Sequence, residues 1–246
     1  MTRTTVKPEK LEELIYGIHP IIELLKAKRR SIKVIYTTKP APRFWDLIEK
    51  MLPPRSQVQY VSRDVLTKMV QTPDHQGVVA WTTQFPLRKQ FFNVEKQPFI
   101  VLIDGIQDTR NLGAILRSAY CTGVNGVIIC KKQGAPLNGS TYKAAAGLSE
   151  HLDIYEAPSA IAAVQEIKNA GYELYLTALD GHDATAVAYK KPLCIVIGNE
   201  ATGISKEIKK MGLTIMLPQS SPDISYNASV AAGITLFLVS TSIKNI

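Results

Sequence analysis

Short apolar, β-branched runs alternate with amphipathic segments from residue 99 to the end of the chain, and this alternation constrains the fold most. "FIVLIDG" (99–105), "GVIIC", "IYEA", "ELYLTAL", "LCIVIGN" and "TIMLP" read as strands. Between them "NLGAILRSAYCTG" (111–123), "STYKAAAGLSEHL", "SAIAAVQEIKNAG" and the short "SKEIKKMG" read as helices, and "YNASVAAGITLFLVSTS" closes the chain as another. Gly123 marks a helix stop. Runs that are apolar throughout suit strands buried on both faces, and strands separated by helices can pair in parallel. The expectation is an α/β domain with a mostly parallel sheet covered by helices on both faces.

The front of the chain has the same grammar on a smaller scale. "GIHPIIELLKAKRR" is helical with a basic end, "IKVIYTT" a strand, "RFWDLIEKML" a helix, "VQYV" a strand, "RDVLTKMV" a helix and "GVVAWTT" a strand. Residues 1–85 therefore form a small α/β domain, "PLRKQFFNVEKQP" (86–98) is read as a polar linker, and 99–246 form the second domain. Charge divides along the same line. Residues 1–97 hold 17 Lys and Arg against 9 Asp and Glu, while the remainder holds 12 against 12. A basic module joined to a neutral one points to a polyanion bound by the first part, with nucleic acid the leading candidate.

Other classes fit less well. No apolar run reaches the roughly 20 residues of a membrane helix. The start, "MTRTTVKPEKLEELIYG", lacks a signal peptide's apolar core and carries acids that transit peptides avoid. Cys121, Cys130 and Cys194 show no metal-ligand spacing, so reduced core cysteines and a cytoplasmic location are expected, without a metal.

In open α/β sheets ligands gather at the carboxyl ends of strands. Three such ends are polar here: "DGIQDTRNLGAILRSA" (104–119), "GNEATGIS" (198–205) and "LPQSSPDISYNASVAAG" (217–233). Singly, Asn111 reads as a helix N-cap, Arg117 as a solvated side chain, Glu200 as a cap for the helix that follows, and Asn227, with Ser225 nearby, as a helix start. Together they point to one shared site. "CIVIGNEATGIS" (194–205) nearly spells a P-loop, but Ile204 stands where the lysine belongs, and the first turn has no G-x-G-x-x-G. Neither ordinary nucleotide site is supported.

"DTRNLGAILRSA", "IVIGNEATGIS" and "IMLPQSSPDISYNASVAAG", in this order and spacing, resemble the three motifs of the SpoU (TrmH-like) branch of the SPOUT superfamily. Its members are S-adenosylmethionine-dependent RNA ribose 2′-O-methyltransferases, and the resemblance covers about residues 98–246. "YGIHPIIELLKA" and "DHQGVVA" are similar, more loosely, to the ribosomal-protein-like substrate-binding domain of relatives that modify guanosine in large-subunit rRNA. The resemblance implies a deep trefoil knot in a parallel-sheet methyltransferase domain, a small α/β RNA-binding domain before it, S-adenosylmethionine as cofactor, RNA as partner and a homodimer.

By resemblance Asn111 and Arg117 are the motif-one pair, Glu200 is the motif-two acid, and Ser225, Asn227 and Ser229 belong to motif three. Arg117 would activate the 2′-hydroxyl, by holding the neighbouring phosphate or as a base, and a guanidinium's persistent charge favours the first role. Gly198, Leu217 and Tyr226 would line the cofactor pocket with Ile197, Asn199, Gly203, Ser229 and Thr177, the last within a third wall, "TALDG" (177–181). Two departures stand out: Thr109-Arg110 replaces a frequent proline and polar pair, and Tyr226 a usual leucine. A tRNA ribose methyltransferase and a non-catalytic RNA-binding protein of the same fold are the alternatives.

Overall fold

The computed structural model describes residues 12–132, 134–199, 201–221 and 225–246. Contacts divide them into two units. One runs up to Pro86 and also takes in Leu137–Glu150, and the other comprises Leu87–Pro136 and His151–Ile246.

The first unit is built on a four-stranded sheet of β1 (Glu12–Tyr16), β2 (Ile32–Thr37), β3 (Gln57–Tyr60) and β4 (Val78–Thr83), in the order β1-β4-β2-β3. β2 and β3 are parallel, and β4 runs antiparallel to both β1 and β2. Helices α1 (Ile18–Ala27), α2 (Trp45–Met51) and α3 (Arg63–Val70) connect them. β1 has no counterpart in the sequence reading, which starts with a helix. Its two leading glutamates mask the strand pattern, and pairing with β4 makes it a strand.

A second correction concerns residues 140–152, expected as one helix of the second domain. They form α5 (Gly139–Ala144) and a 3-10 turn (Leu148–His151), separated by Ala146 and Gly147 at φ 52° and 80°. Asn138 caps α5 by accepting the Ser140 and Thr141 N–H groups at 3.0 and 3.1 Å. The segment packs tightly on the first unit: a Cβ on Gly139 would lie 2.7 Å from the Leu14 carbonyl oxygen, and one on Gly147 2.7 Å from the Pro20 Cα.

A buried charged cluster holds this segment. The Arg30 guanidinium donates to Glu13 at 2.8 Å and to the Thr82 hydroxyl at 3.2 Å, and lies 3.5 Å from a Glu150 oxygen. It also lies over the Tyr142 ring, 4.9 Å from the centroid, while the Tyr142 hydroxyl donates to Glu13 at 2.9 Å. Glu150 is 1% exposed and neither of its carboxylate oxygens has a hydrogen bond. Burial pushes its pKa up to about 7 despite the opposing pull of Arg30 and Arg29. Among its described residues, the second unit carries no buried charged cluster of this kind at its centre.

There the sheet contains β5 (Phe99–Ile103), β6 (Gly126–Cys130), β7 (Ile154–Ala157), β8 (Glu173–Asp183), β9 (Leu193–Ile197) and β10 (Leu213–Met216), in the order β10-β8-β9-β5-β6-β7. Every pairing is parallel, as expected. Every residue of β5, β6 and β9 is buried, which accounts for their uninterrupted apolar runs. Helices α4 (Thr109–Cys121), α6 (Ala160–Asn169), α7 (Lys206–Lys209) and α8 (Ala228–Ser242) complete the unit.

Of residues 86–98, read as linker, those from Leu87 onward belong to this unit, and Phe92 enters its core with Phe91 and Val94 packed beside it. Phe92 is 4% exposed and fills the space above Gly126, where a Cβ would come within 2.3 Å of its ring. Arg88 pairs with Asp153 at 2.8 Å, and the Tyr172 hydroxyl donates to the Gln97 carbonyl at 2.7 Å. The polar residues of this stretch hid its aromatic anchors. Gly123 does end α4: at φ 69° it donates to the Tyr120 carbonyl, and Val124 donates to that of Ala119, a Schellman closure. Cys130 and Cys194 are buried, with burial pushing the Cys130 thiol up to about 12, but Cys121 is exposed and not a core residue. Among the described residues no helix is long and apolar enough to cross a membrane.

Glu150 makes stability depend on pH in a stated direction. Its folded pKa lies above the ordinary value, so the folded state holds the proton more tightly than the unfolded chain does. Its contribution is therefore full below the ordinary carboxylate range and lost as pH rises towards 7. Urea denaturation of Glu150→Gln between pH 4.5 and 7.5 should show a weaker fall of stability with pH than the parent chain, and an unchanged slope contradicts this account.

Candidate functional site

The carboxyl ends of β5 and β9 lie side by side at the centre of the parallel sheet, where Ile103 pairs with Ile197 and the Asp104 N–H donates to the Ile197 carbonyl at 2.8 Å. From β5 the chain steps to β6 on one side, whereas β9 flanks it on the other. Such a change of direction leaves a crevice beyond the strand ends. The loops 104–108 and 198–205 meet there, and the Asn199 side-chain amide donates to the Gly105 carbonyl.

Asn199 organises the second loop. Its side-chain oxygen accepts the Ala201 and Thr202 N–H groups at 2.8 and 3.0 Å, and its carbonyl accepts the Gly203 N–H at 2.9 Å. Three successive backbone donors are therefore consumed inside the turn. Gly198 must remain a glycine, because a Cβ would meet Ile204 Cγ1 at 2.7 Å and the Gly203 carbonyl carbon at 2.8 Å. Gly203 instead supplies a left-handed φ of 63° in open space. Ile204 is 4% exposed within an apolar cluster that includes Leu176, Val196 and Ile208. Ser205 caps α7, accepting the Ile208 N–H at 3.3 Å, and Glu200 lies outside the described residues.

This loop closes one side of a cleft of about 590 Å³. Thr177, Ile197, Gly198, Asn199, Gly203, Ser225, Tyr226 and Asn227, all singled out from the sequence, line it together. Ala178, Leu179 and Asp180 join Thr177, so four residues of "TALDG" contribute a wall and Gly181 does not. Thr177 is fixed by donating to the Val196 carbonyl at 2.9 Å, and Leu179 stays 65% exposed. Leu217 lines an adjoining hollow that shares Thr177, Ser225 and Tyr226. Ala231, Ala232 and Ile204 add further apolar surface.

Other expected site residues take up structural work or lie elsewhere. Asn227 caps α8, its side chain accepting the Ser229 N–H at 2.9 Å and the Ser229 hydroxyl at 2.6 Å. Ser229 does not line the cleft. Asn111 is the third residue of α4 and half-buried; the cap of that helix is Asp108, which accepts the Arg110 N–H at 2.7 Å. Arg117 is exposed on α4, outside the cleft lining. The cleft's lining cation, Lys209, is paired with Asp180 at 2.7 Å, which holds that exposed carboxyl below its ordinary value. The Lys209–Asp180 pair and the Asn199–Gly105 bond carry no sequence signal, since each joins segments distant in the chain, whereas the bonds by which Asn199 folds its own turn are local.

The chemistry of this donor set excludes a phosphate cradle. A P-loop aims free backbone N–H groups and a lysine at the anion. Here the Ala201, Thr202 and Gly203 N–H groups are occupied by Asn199, and the lysine position is a buried isoleucine. What remains is a cleft in which apolar surface from Ile197, Ile204, Ala231 and Ala232 is mixed with polar groups, of a size suited to a nucleoside-like ligand without phosphates.

Comparison with known proteins gives that arrangement a family. Residues 98–237 match the SpoU rRNA Methylase family, and residues 14–87 match the domain described as RNA 2′-O ribose methyltransferase substrate binding. The chain belongs to the SpoU rRNA methylase family. The 23S rRNA (guanosine-2′-O-)-methyltransferase RlmB of Nitrosomonas europaea is 30% identical to this SpoU protein over 92% of this chain and 90% of its own. The 23S rRNA (guanosine-2′-O-)-methyltransferase RlmB of Shewanella oneidensis is 28% identical over 93% of this chain and 96% of its own. The crystal structure of an RNA 2′-O ribose methyltransferase superposes with a TM-score of 0.84 at 20% identity, covering 96% of this chain and 90% of that one. The AdoMet-bound rRNA methyltransferase of Sinorhizobium meliloti does so at 0.78 and 22%, covering 96% and 88%. At these identities the structures establish a common fold.

The loop account makes a direct prediction for the near-P-loop of this SpoU protein. Ile204→Lys would place an ammonium group within the apolar cluster and should cost more than about 3 kcal/mol. Urea denaturation reads the loss. Titration calorimetry should show no ATP binding by this variant, and a measurable ATP affinity contradicts the assignment of the loop.

Proposed function

We propose that this SpoU protein methylates the ribose 2′-hydroxyl of a guanosine in large-subunit rRNA, with S-adenosylmethionine as methyl donor. The observation that carries the reading is the cleft between β8, the β9 end and the start of α8, where Asn199 takes the Ala201, Thr202 and Gly203 amides, no P-loop lysine is present, and apolar and polar side chains share the walls. That fits a donor that brings an adenosine and a charged sulfur but no phosphate. The full-length similarity to RlmB proteins supports the rRNA guanosine as target, and the basic first unit supports an RNA partner.

The residues divide the work as follows. Thr177, Ile197, Gly198, Asn199, Gly203, Tyr226 and Leu217 hold the donor, chiefly through backbone groups and apolar walls, with Ser229 supporting the motif-three turn. Bound S-adenosylmethionine supplies a methyl group activated by the positive charge on its sulfur. A ribose hydroxyl is a poor nucleophile while it keeps its proton, so orientation and help with proton loss are the protein's tasks. Arg117, exposed and permanently charged, holds the phosphate beside the target ribose, and its field favours the developing alkoxide. Asn111 and Glu200 orient Arg117 and the ribose. Ser225 and Asn227 shape the turn that presents Tyr226.

A homodimer belongs to the same reading. α8 buries Ala232, Thr235, Leu236, Val239 and Ser240, yet its opposite face exposes Val230, Ile234 and Phe237, the last at 59%. A helix apolar on both faces calls for a second cover, and a second copy of the chain supplies one.

Labelled S-adenosylmethionine incubated with the protein and unmodified rRNA or tRNA tests the target, with label expected at a 2′-hydroxyl of rRNA. Label in tRNA alone overturns the rRNA assignment, and none in either overturns the activity. Arg117→Ala should lower transfer by at least about a hundredfold with donor affinity retained in calorimetry; equal loss of both contradicts the division of roles. For the dimer, Phe237→Asp should reduce the sedimenting species from twice 27.1 kDa to that mass.

A further inference from the structure

In the first unit Tyr16, Trp45, Phe85 and Tyr142 are buried, but Phe44 and Tyr60 are 50% and 44% exposed. Both flank one loop, residues 38–44. Tyr60 ends β3 opposite Thr37, the last residue of β2 before the loop, and Phe44 ends the loop at the start of α2. Each ring carries a cation. Lys39 Nζ lies 4.3 Å from the Tyr60 ring centroid, and Arg43 Cζ lies 4.8 Å from that of Phe44.

The loop is held in place. The Thr38 hydroxyl donates to the Pro40 carbonyl at 2.9 Å, and the Trp45 N–H donates to that of Pro42 at 3.1 Å. Pro42 packs so closely on Gly77 that a Cβ there would lie 3.2 Å from it. Phe44 sits at φ 68°, a left-handed conformation that bulky residues rarely adopt and that tends to persist where function requires it. In this conformation its ring stays in solvent while the next residue, Trp45, is buried. Residues 38–44 and 57–63 contribute Lys39, Arg43 and Arg63 and no carboxylate; Asp46 and Asp64 follow, in the first turns of α2 and α3.

We propose that Phe44 and Tyr60, with Lys39 and Arg43, form a platform on which unpaired RNA bases stack. The proposal rests on the RNA-modifying reading above and names the surface that takes the RNA. Exposed rings offer faces to any base, and neighbouring cations meet the phosphates on either side. A base inside a duplex is already stacked and cannot use such a platform, so the platform selects loops and single strands.

Fluorescence anisotropy with the full chain tests it, using a labelled RNA hairpin with a purine-rich loop and a blunt duplex of the same stem. The parent chain should bind the hairpin about tenfold more tightly than the duplex. Phe44→Ala and Tyr60→Ala should each weaken hairpin binding by about tenfold, leaving duplex affinity and the salt slope unchanged, while Tyr60→Phe binds as the parent does. Lys39→Gln should instead lower the salt slope by about one. Thermal unfolding of each variant at the parent's temperature shows that the surface, and not the fold, was altered. Ring variants that bind the hairpin normally, or lose hairpin and duplex equally, overturn the platform. If the parent chain methylates rRNA in that case, the methyltransferase reading stands alone; ring-dependent binding without methylation leaves the platform standing and removes the activity. A parent chain that binds neither RNA overturns both.

Discussion

The pairing of Phe99–Ile103 with Leu193–Ile197 is the constraint on which the second unit depends. Both strands are wholly buried, so neither can slip without exposing apolar surface or leaving backbone groups unpaired. With the register fixed, Ile103 and Ile197 end level and their following loops must meet. Asn199 then bridges to Gly105 while folding its own turn, and α4 leaves the first loop with its orphan amide capped by Asp108. The cleft is a consequence of that geometry. Its walls come from the middle of β8, the end of β9 and the start of α8, which the order of strands brings together across the chain.

The first unit is fastened differently. Its buried Arg30 satisfies Glu13 and Thr82 directly but leaves Nε and both Glu150 oxygens without hydrogen bonds. A buried ion pair with unfilled valences is weak as a source of stability and more useful as a register mark. Here it specifies where Leu137–Glu150 docks, since an apolar contact alone would tolerate sliding. The Lys143 ammonium on the Gln76 side chain at 2.6 Å adds a second polar fix along the same segment.

Much of this was legible. Uninterrupted apolar runs revealed the parallel strands because burial on both faces leaves no position for a polar residue. Gly123 was legible because a left-handed helix stop favours glycine. The cleft residues around Gly198, Tyr226 and Asn227 could be grouped because their motifs lie at strand ends. Glu12–Tyr16 was missed because strand pairing with residues far along the chain overrode its acidic start. The stretch 86–98 was missed because Phe92 needs Gly126 opposite it, and no local pattern shows that partner. The break in 140–152 was missed because its residues have good helix propensity, yet Gly147 must turn where Pro20 stands close.

The sequence by itself determined the fold class, the basic and neutral halves, and the replacement of a P-loop lysine by Ile204. These are properties of residue type and spacing, and they hold wherever the chain goes. Only the tertiary structure decided why that replacement matters: Ile204 is core, and Asn199 has already taken the amides a phosphate would need. It also decided which aromatics face solvent. Trp45 and Phe44 are neighbours of similar hydrophobicity, and a single left-handed residue sends one inward and leaves the other exposed.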